Sequence, residues 1–348
     1  MNYQRTQIHQ KKLSTQIKAS IGLGIILIFG FFWISWTGGT PVNLEKTLII
    51  PKGSALASLD TLLDAEVGHT RFMLWKMFFA PDIVLKSGIF AVPEGTNTLE
   101  EVFIMLKNPV PTEEEITLLP GWHKGEMAEA FKKNNIEGDL LAEEKSVIAA
   151  LSPKYPFLIG KESLEGFLMP DTYRITGGTN VTTMVSKMLD NFVIRIYDPF
   201  LASGKPVEAF YDVLILASIV GEEEKSSTQL PIVADILKKR LRQGWQIGAD
   251  ITVCYADLLP GSECQKYVNN YYSLSREARE AKNNVYDTRS KVGLPPTPIA
   301  SMSKAAFVAT LDATAETPAW FYLHDSKGII HTATTDTEHE QNKSTYLR

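Results

Sequence analysis

The sequence predicts an α+β protein tethered by a single N-terminal transmembrane helix, and three observations carry that prediction. Residues 19–37 contain no charge and are almost wholly apolar. Beyond them, short β-rich runs alternate with capped helical stretches, which is the pattern of mixed secondary structure. Further on, the apolar run Val213-Leu-Ile-Leu-Ala-Ser-Ile-Val220 passes through Gly221 into Glu222, Glu223 and Glu224.

The first of these is long enough to cross a bilayer core as a helix. Arg5, Lys11, Lys12 and Lys18 precede it without an intervening acid, and Trp33 and Trp36 stand at its far end, where amphipathic rings favour the interface. The apolar run exceeds the usual length of a signal-peptide core, and no small-x-small cleavage site follows it. A cytoplasmic tail over 1–18, a membrane span over 19–37 and an extracytoplasmic remainder are therefore expected, placing the chain in the cytoplasmic membrane as a single-pass protein. Some 300 residues remain, room for two domains with cores of their own. The net charge of −5 argues against nucleic acid as a partner.

The elements follow in order. Residues 47–50 read as a strand, Lys52-Gly-Ser54 as a turn, and Ser54 as the N-cap of a helix bearing Leu56, Leu59, Leu62 and Leu63. A helix is expected over 71–79, a strand over 87–92, a turn at Pro93-Glu-Gly95, and a capping box at Thr98-Leu-Glu-Glu101 opening a helix through Leu106. Strand, Gly turn and helix recur at 115–119, 120–122 and 124–134, a succession too common to establish a repeat. Helices are expected over 140–151 and 181–197. A last helix has Pro231 in its first turn, a buried stripe of Ile232, Val233, Ile236, Leu237 and Leu241, and Gly244 as its stop.

On a helical period, Leu216, Ile219 and Val220 share a face, and the next position on it is Glu223; Glu222 and Glu224 turn away. A carboxyl at the wet end of an apolar stripe is partly desolvated, which raises its pKa toward the range where it donates a proton at neutral pH. A solvated acidic helix end is the competing reading of three adjacent glutamates. Cys254 and Cys264, the only cysteines, are close enough in sequence for a local disulfide in an oxidising compartment, or remain two thiols. His324, His331 and His339 have no HExxH or other tight ligand spacing, so neither a metal nor a cofactor is expected.

Leu164-Glu-Gly-Phe-Leu-Met-Pro-Asp-Thr-Tyr173 resembles the LEGYLFPDTY signature of the MltG (YceG-like) endolytic murein transglycosylases, membrane-anchored enzymes that cut peptidoglycan glycan strands. Leu216-Ala-Ser-Ile-Val220 and the glutamates resemble that family's LASIVEKE helix, with its catalytic glutamate falling on Glu223. Arg240-Leu241, Gly244 and Asp250-Ile-Thr-Val-Cys-Tyr255 are similar to NRL…G…TDPTVIY; Gly293-Leu-Pro-Pro-Thr-Pro-Ile-Ala300 resembles GLPPGPIA; and the segment from Trp320-Phe-Tyr322 to Asn342 resembles the family's closing strands and EH…N signature. The resemblance implies a LysM-like membrane-proximal subdomain over 42–113 and a mixed α/β YceG-like catalytic domain over 114–348.

It also implies roles. Glu223 would be general acid and then base; Asp250, Thr252, Tyr286, Asp287 and Thr288 would line a saccharide cleft. Glu165, Asp171 and Tyr173 would belong to a structural signature, Gly293 to Pro298 to a rigid cleft wall, and Arg240 to an ion pair with a carboxylate. His331 and His339 would make strand and loop contacts. The implied partners are peptidoglycan glycan strands, the cytoplasmic membrane and wall-synthesis enzymes near it. Six positions depart from the family pattern: Gly221 for Glu, Lys239 for Asn, Gly248 and Ala249 for a polar pair, and Asp287 and Arg289 in Tyr286-Asp-Thr-Arg289 for YNTY. Asp287 replaces an amide that donates with a carboxylate that, when ionised, only accepts. Lys239, Gly248, Ala249 and Asp287 favour a scaffold that binds peptidoglycan without turnover, the intact Glu223 argues against it, and a hydrolytic muramidase using Asp287 or Asp250 as second carboxylate is a further alternative.

Overall fold

The computed structural model describes residues 2–39, 47–50, 69–79, 88–92, 98–107 and 113–347, which fall into two compact units. The first, Met1–Glu114 with Thr176–Gly178, opens with helix α1 (Asn2–Ser35). Its stretch Ile17–Ser35 is long and apolar enough to cross a membrane, and Ile26, Leu27, Phe29 and Phe32 all point outward from it. Strand β1 (Thr47–Ile50) and, after helix α2 (His69–Phe79), strand β2 (Gly88–Ala91) pair antiparallel, Thr47 opposite Ala91 and Ile50 opposite Gly88. Helix α3 (Leu99–Lys107) begins with the expected capping box: Thr98 N donates to Glu101 Oε2 at 2.9 Å, and Glu101 N to Thr98 Oγ1 at 3.4 Å. Leu48, Ile50, Trp75, Phe90, Leu99 and Val102 are the buried residues this unit is built on. The expected turn at 52–54, the helix capped by Ser54 and the turn at 93–95 lie outside the described residues.

The second unit comprises Glu115–Ile175 and Thr179–Arg348. Strand β3 (Glu113–Thr117) leads to helices α4 (Lys124–Lys133) and α5 (Leu140–Leu151), and strand β4 (Thr172–Thr176) returns beside β3. Helix α6 (Val181–Phe192) passes through a wider π turn at Val193–Tyr197 into α7 (Asp198–Ala202), so the helix expected over 181–197 is real but changes pitch in its second half.

At the centre is α8 (Phe210–Glu223), whose residues from Leu214 to Val220 are all buried. Helices α9 (Leu230–Arg242) and α13 (Lys304–Asp312) pack on it. Gly221 is the position that lets α13 come close: a Cβ there would stand 3.1 Å from Ala306 Cβ. Ser218, inside the apolar run, is satisfied twice, donating to Ile215 O at 2.7 Å and accepting from Ile299 N at 3.1 Å. That second bond ties the proline-rich segment to α8, and Gly166 tightens the same corner, since its φ of +82° and a Cβ only 2.5 Å from Pro298 exclude other residues.

The stripe on α9 differs in detail from expectation. Leu230, Val233, Ala234, Ile236 and Leu237 are buried, whereas Ile232 is exposed and Leu241 only partly covered. The apolar positions at 232 and 241 lie on the flank of the packed face, where α13 no longer covers them. After α9 come the short α10 (Ile251–Tyr255), α11 (Gly261–Ser273) and α12 (Arg276–Ala281). Strands β5 (Phe321–His324) and β6 (Ile330–Ala333) form an antiparallel hairpin with Tyr322 opposite Thr332, and α14 (Asp336–Tyr346) closes the chain. Cys254 and Cys264 are joined in a disulfide that links α10 to α11, resolving the alternative left open by their spacing.

Candidate active site

The three glutamates end in three different environments because α8 stops among them. Glu224, the C-cap residue, is buried; its Oε1 accepts from Ser226 N at 2.6 Å and its Oε2 lies 2.9 Å from His324 Nε2. Glu222 holds Lys225 Nζ at 2.7 Å and faces a void of about 20 Å³ shared with His123 and Glu126, too small for anything beyond a water. Glu223 alone opens into a cleft of about 660 Å³, within the range of small-ligand sites.

Tyr322 donates its hydroxyl to Glu223 Oε2 at 2.9 Å. Burial pushes the Glu223 carboxyl above its ordinary value, and the nearby Asp250 adds to the rise; Tyr322, Arg289 and His324 pull against it without reversing it. The result is a carboxyl biased to hold its proton, with a donor poised to stabilise the anion once the proton leaves. Tyr322 is itself driven well above the ordinary phenol range by burial and by Glu223, so it stays a donor.

Tyr322 is placed by Arg240. Its Nε and Nη2 both donate to Trp320 O, at 2.9 and 2.7 Å, and its Nη1 to Ile247 O at 2.6 Å, which clamps the entry of β5 to the end of α9. The expected partner of Arg240 was a carboxylate; the correction is that all three contacts are backbone carbonyls, whose alternative in this enclosed corner would be no donor at all. Lys239 acts beside it, donating to Thr317 O, Pro318 O and Ala319 O at 2.9 to 3.3 Å and lying 4.1 Å from the Trp320 ring centroid.

None of the five residues expected to line the cleft is on its wall: Asp250 acts on Glu223 electrostatically and is bonded to Arg289, which does line it, and the other four lie elsewhere. Thr252 and Thr288 are buried and bonded to each other at 3.0 Å; Gly248 N donates to Thr288 O and Ala249 N to Thr288 Oγ1, so this clasp holds the 248–252 and 286–290 loops side by side. Gly248 enters it with φ at +75°. Tyr286 donates to or accepts from Thr297 at 3.0 Å and packs on Tyr255. Asp287 is also buried and accepts from Tyr271, Tyr272, the Arg289 and Ser290 amides and the Ser290 hydroxyl, at 2.6 to 3.3 Å. Burial works against its ionisation, but that ring of donors wins and holds it below the ordinary carboxylate range. It anchors the loop, and it stands on the wall of a second cavity of about 440 Å³ whose lining does not include Glu223.

The signature residues are also internal. Glu165 is buried, accepts from Lys124 N at 3.0 Å, and is pushed up to about 7 by burial against the lowering effect of that bond. Asp171 accepts from Asn191 and Arg195 on or just after α6, and Tyr173 donates to Met169 O at 2.6 Å. His331 meets Asp325 at 3.0 Å and stacks on Tyr346. His339, expected in a loop, sits on α14, stacks on Phe321 and lines the cleft. Gly293–Pro298 does not line the cleft, whose wall near there is Val292. Two cleft residues, Tyr322 and Arg289, carried a sequence signal only as parts of longer motifs. Among the described residues no group of three or more His, Cys, Asp or Glu could hold a metal ion.

A carboxyl whose pKa is raised by burial, bonded to a tyrosine and facing an open cleft, has the chemistry of a proton donor, and it is carried on a mixed helix-and-strand fold. Residues 48–345 match the profile of the YceG-like family, and the chain belongs to that family. It is 22% identical over 332 residues to a Streptococcus pneumoniae protein named endolytic murein transglycosylase, a match covering 86% of this chain and 58% of that one. A Bacillus subtilis protein of the same name is 25% identical over 190 residues, 54% of this chain and 49% of the other. The chain thus spans about half the length of these relatives. The crystal structure of a yceG-like protein from Listeria monocytogenes shares the fold, with a TM-score of 0.53 at 20% identity, covering 85% of this chain and 98% of that one.

Proposed function

We propose that the protein is a membrane-anchored endolytic transglycosylase of peptidoglycan, with α1 as its anchor, its N-terminus in the cytoplasm and Glu223 as its one acid–base group. The observation that carries this is the isolation of Glu223: it is the only one of the three glutamates that opens into a cleft large enough for sugars, and burial favours its protonated form. The names of the pneumococcal and Bacillus relatives support the same reading.

In this reaction Glu223 gives its proton to the glycosidic oxygen between MurNAc and GlcNAc as the bond to C1 breaks. The Glu223 carboxylate, stabilised by the Tyr322 hydroxyl, then takes the proton of the MurNAc C6 hydroxyl, whose oxygen closes on C1 to leave a 1,6-anhydro end. One carboxyl suffices because the nucleophile belongs to the substrate, and holding it in place contributes up to about 7–11 kcal/mol in the best oriented systems. A muramidase needs a second carboxylate to activate water or attack the sugar. Asp250, the carboxylate that acts electrostatically on Glu223, has Oδ1 engaged by Arg289 Nε, which disfavours that role.

The test is to incubate the full chain in detergent micelles with peptidoglycan and weigh the products. Ends lighter than hydrolytic reducing ends by one water support the proposal; reducing ends indicate a muramidase, and intact glycan indicates a scaffold. Glu223→Gln is expected to lower the rate by about 10²–10⁴-fold, with Glu222→Gln and Glu224→Gln retaining the acid. Full activity in Glu223→Gln would refute the assignment.

A further inference from the structure

Arg289 has no part in the proton transfers above, yet its side chain is held in place on the cleft wall. Its amide donates to Asp287 Oδ1 at 3.0 Å, its Nε is bonded to Asp250 Oδ1, and its Cζ lies 5.7 Å from the Tyr272 ring centroid. Backbone, base of the fork and one face of the guanidinium plane are thus each fixed. Among the described residues, Nη1 and Nη2 have no hydrogen-bond partner, and the side chain lines the cleft that contains Glu223.

The charge around it leaves that fork unanswered. Arg240 spends its donors on Trp320 O and Ile247 O, and Lys343 is paired with Glu340 at 2.7 Å. Asp250 answers only one edge of Arg289, Glu223 is biased toward its neutral form, and Asp336 is the remaining acid on the cleft wall. Opposite, His339 has a buried Nδ1 without a partner, and burial lowers its pKa so that the ring is a neutral hydrogen-bonding group. A planar fork with two free N–H edges, pre-organised on a low-entropy mount, matches the two oxygens of a carboxylate better than any hydroxyl of a neutral sugar.

We propose that Arg289 is a specificity-determining residue that binds a carboxylate carried by the muramyl unit of the glycan strand, through Nη1 and Nη2. The proposal rests on the peptidoglycan reading above and adds to it a preference for acidic over neutralised strands. The carboxylate has two sources, the lactyl group of a muramyl residue stripped of its peptide or the acidic groups of the peptide itself. Arg289 would set which strands are held with their reacting bond over Glu223, acting on binding more than on the proton transfer.

The experiment measures binding, so that it does not depend on turnover. Full-length Glu223→Gln protein in micelles, alone and combined with Arg289→Gln or Arg289→Lys, is titrated calorimetrically with three muramyl tetrasaccharides: free lactyl carboxylates, intact stem peptides, and lactyl groups capped as simple amides. The expected result is that one or both acidic ligands bind at least about tenfold tighter than the capped one, that Arg289→Gln removes this preference, and that Arg289→Lys keeps part of it. The acidic ligand that shows the preference identifies the source. Equal affinity for all three ligands, or a preference that survives Arg289→Gln, overturns the assignment while leaving the saccharide reading intact. Absence of binding to all three, with circular dichroism reporting a folded protein, overturns the saccharide reading and this proposal with it.

Discussion

Replacing Tyr322 by phenylalanine removes one hydroxyl and keeps the ring that Arg240 and β5 position. The lost interaction is a hydrogen bond to a carboxylate in a desolvated site, worth about 1.5–3 kcal/mol. At about 1.4 kcal/mol per pKa unit, that corresponds to a rise of about one to two units in the pKa of Glu223, added to the rise burial already causes. An enzyme that needs Glu223 protonated loses activity as pH climbs through that pKa. The alkaline limb of kcat/KM for Tyr322→Phe is therefore expected about one to two pH units above that of the unaltered protein. The rate on the plateau should fall roughly tenfold, because the anion formed in the first step loses its donor. Stability should follow the same sign. A carboxyl whose folded pKa is raised contributes stability below its unfolded pKa that is lost as pH rises through the folded value, and Tyr322→Phe extends that window upward. The assay is anhydro-end release measured from pH 4 to 9, with urea unfolding at each end of the range. An alkaline limb that stays in place, or moves down, would show that Glu223 is not the titrating acid or that Tyr322 does not hold it.

Three further outcomes test the framework around the site. Glu165, pushed up to about 7 by burial, should cost the fold about 3 kcal/mol between its ordinary carboxylate range and pH 7; Glu165→Gln should flatten urea-derived stability between pH 5 and 8, and an unchanged slope would contradict the burial argument. The Cys254–Cys264 bridge spans a sequence separation of 10, for which the chain-entropy relation gives about 2.8 kcal/mol, so Cys254→Ser with Cys264→Ser should lower the unfolding free energy by about that amount. An undiminished urea midpoint would refute it. Gly221→Ala places a Cβ 3.1 Å from that of Ala306 and should cost about 1–3 kcal/mol, recovered in part by Ala306→Gly; additivity in a thermal double-mutant cycle would mean that α8 and α13 do not constrain one another there.

What the sequence revealed and what it hid divide along a physical line. The apolar run ending in the glutamates was legible as a buried helix because burial is written in local composition, but α8 is covered on every side from Leu214 to Val220, so the phase of Leu216, Ile219 and Val220 does not by itself separate Glu223 from its neighbours. Caps and stops were legible for the same reason: Thr98 with Glu101, Pro231 and Gly244 act within a turn of where they stand. The cleft itself was not legible. Tyr322 reaches Glu223 across 99 positions and Arg289 reaches Asp250 across 39, contacts that depend on the β5–β6 hairpin and the Thr252–Thr288 clasp. For the same reason the resemblance that implied Thr252, Asp287 and Thr288 as sugar ligands could not show that the fold bonds them to one another and to neighbouring residues.

The departures from the family pattern bear on whether this cleft could still work. Lys239, where an asparagine is usual, covers three carbonyls of the loop that delivers β5, and Gly221 lets α13 close on the helix carrying Glu223. Asp287 keeps its charge, but two tyrosines from α11 and two backbone amides satisfy its oxygens within the loop. That arrangement has a consequence at the next position but one. Because Asp287 fixes the amide of Arg289, the loop presents a cation to the cleft at a defined place, and Asp250 then orients it. Contacts to Asp287, Asp250 and Tyr272 therefore join the altered positions 287 and 289 in one connected set, with the buried aspartate fixing the backbone of the arginine two residues on.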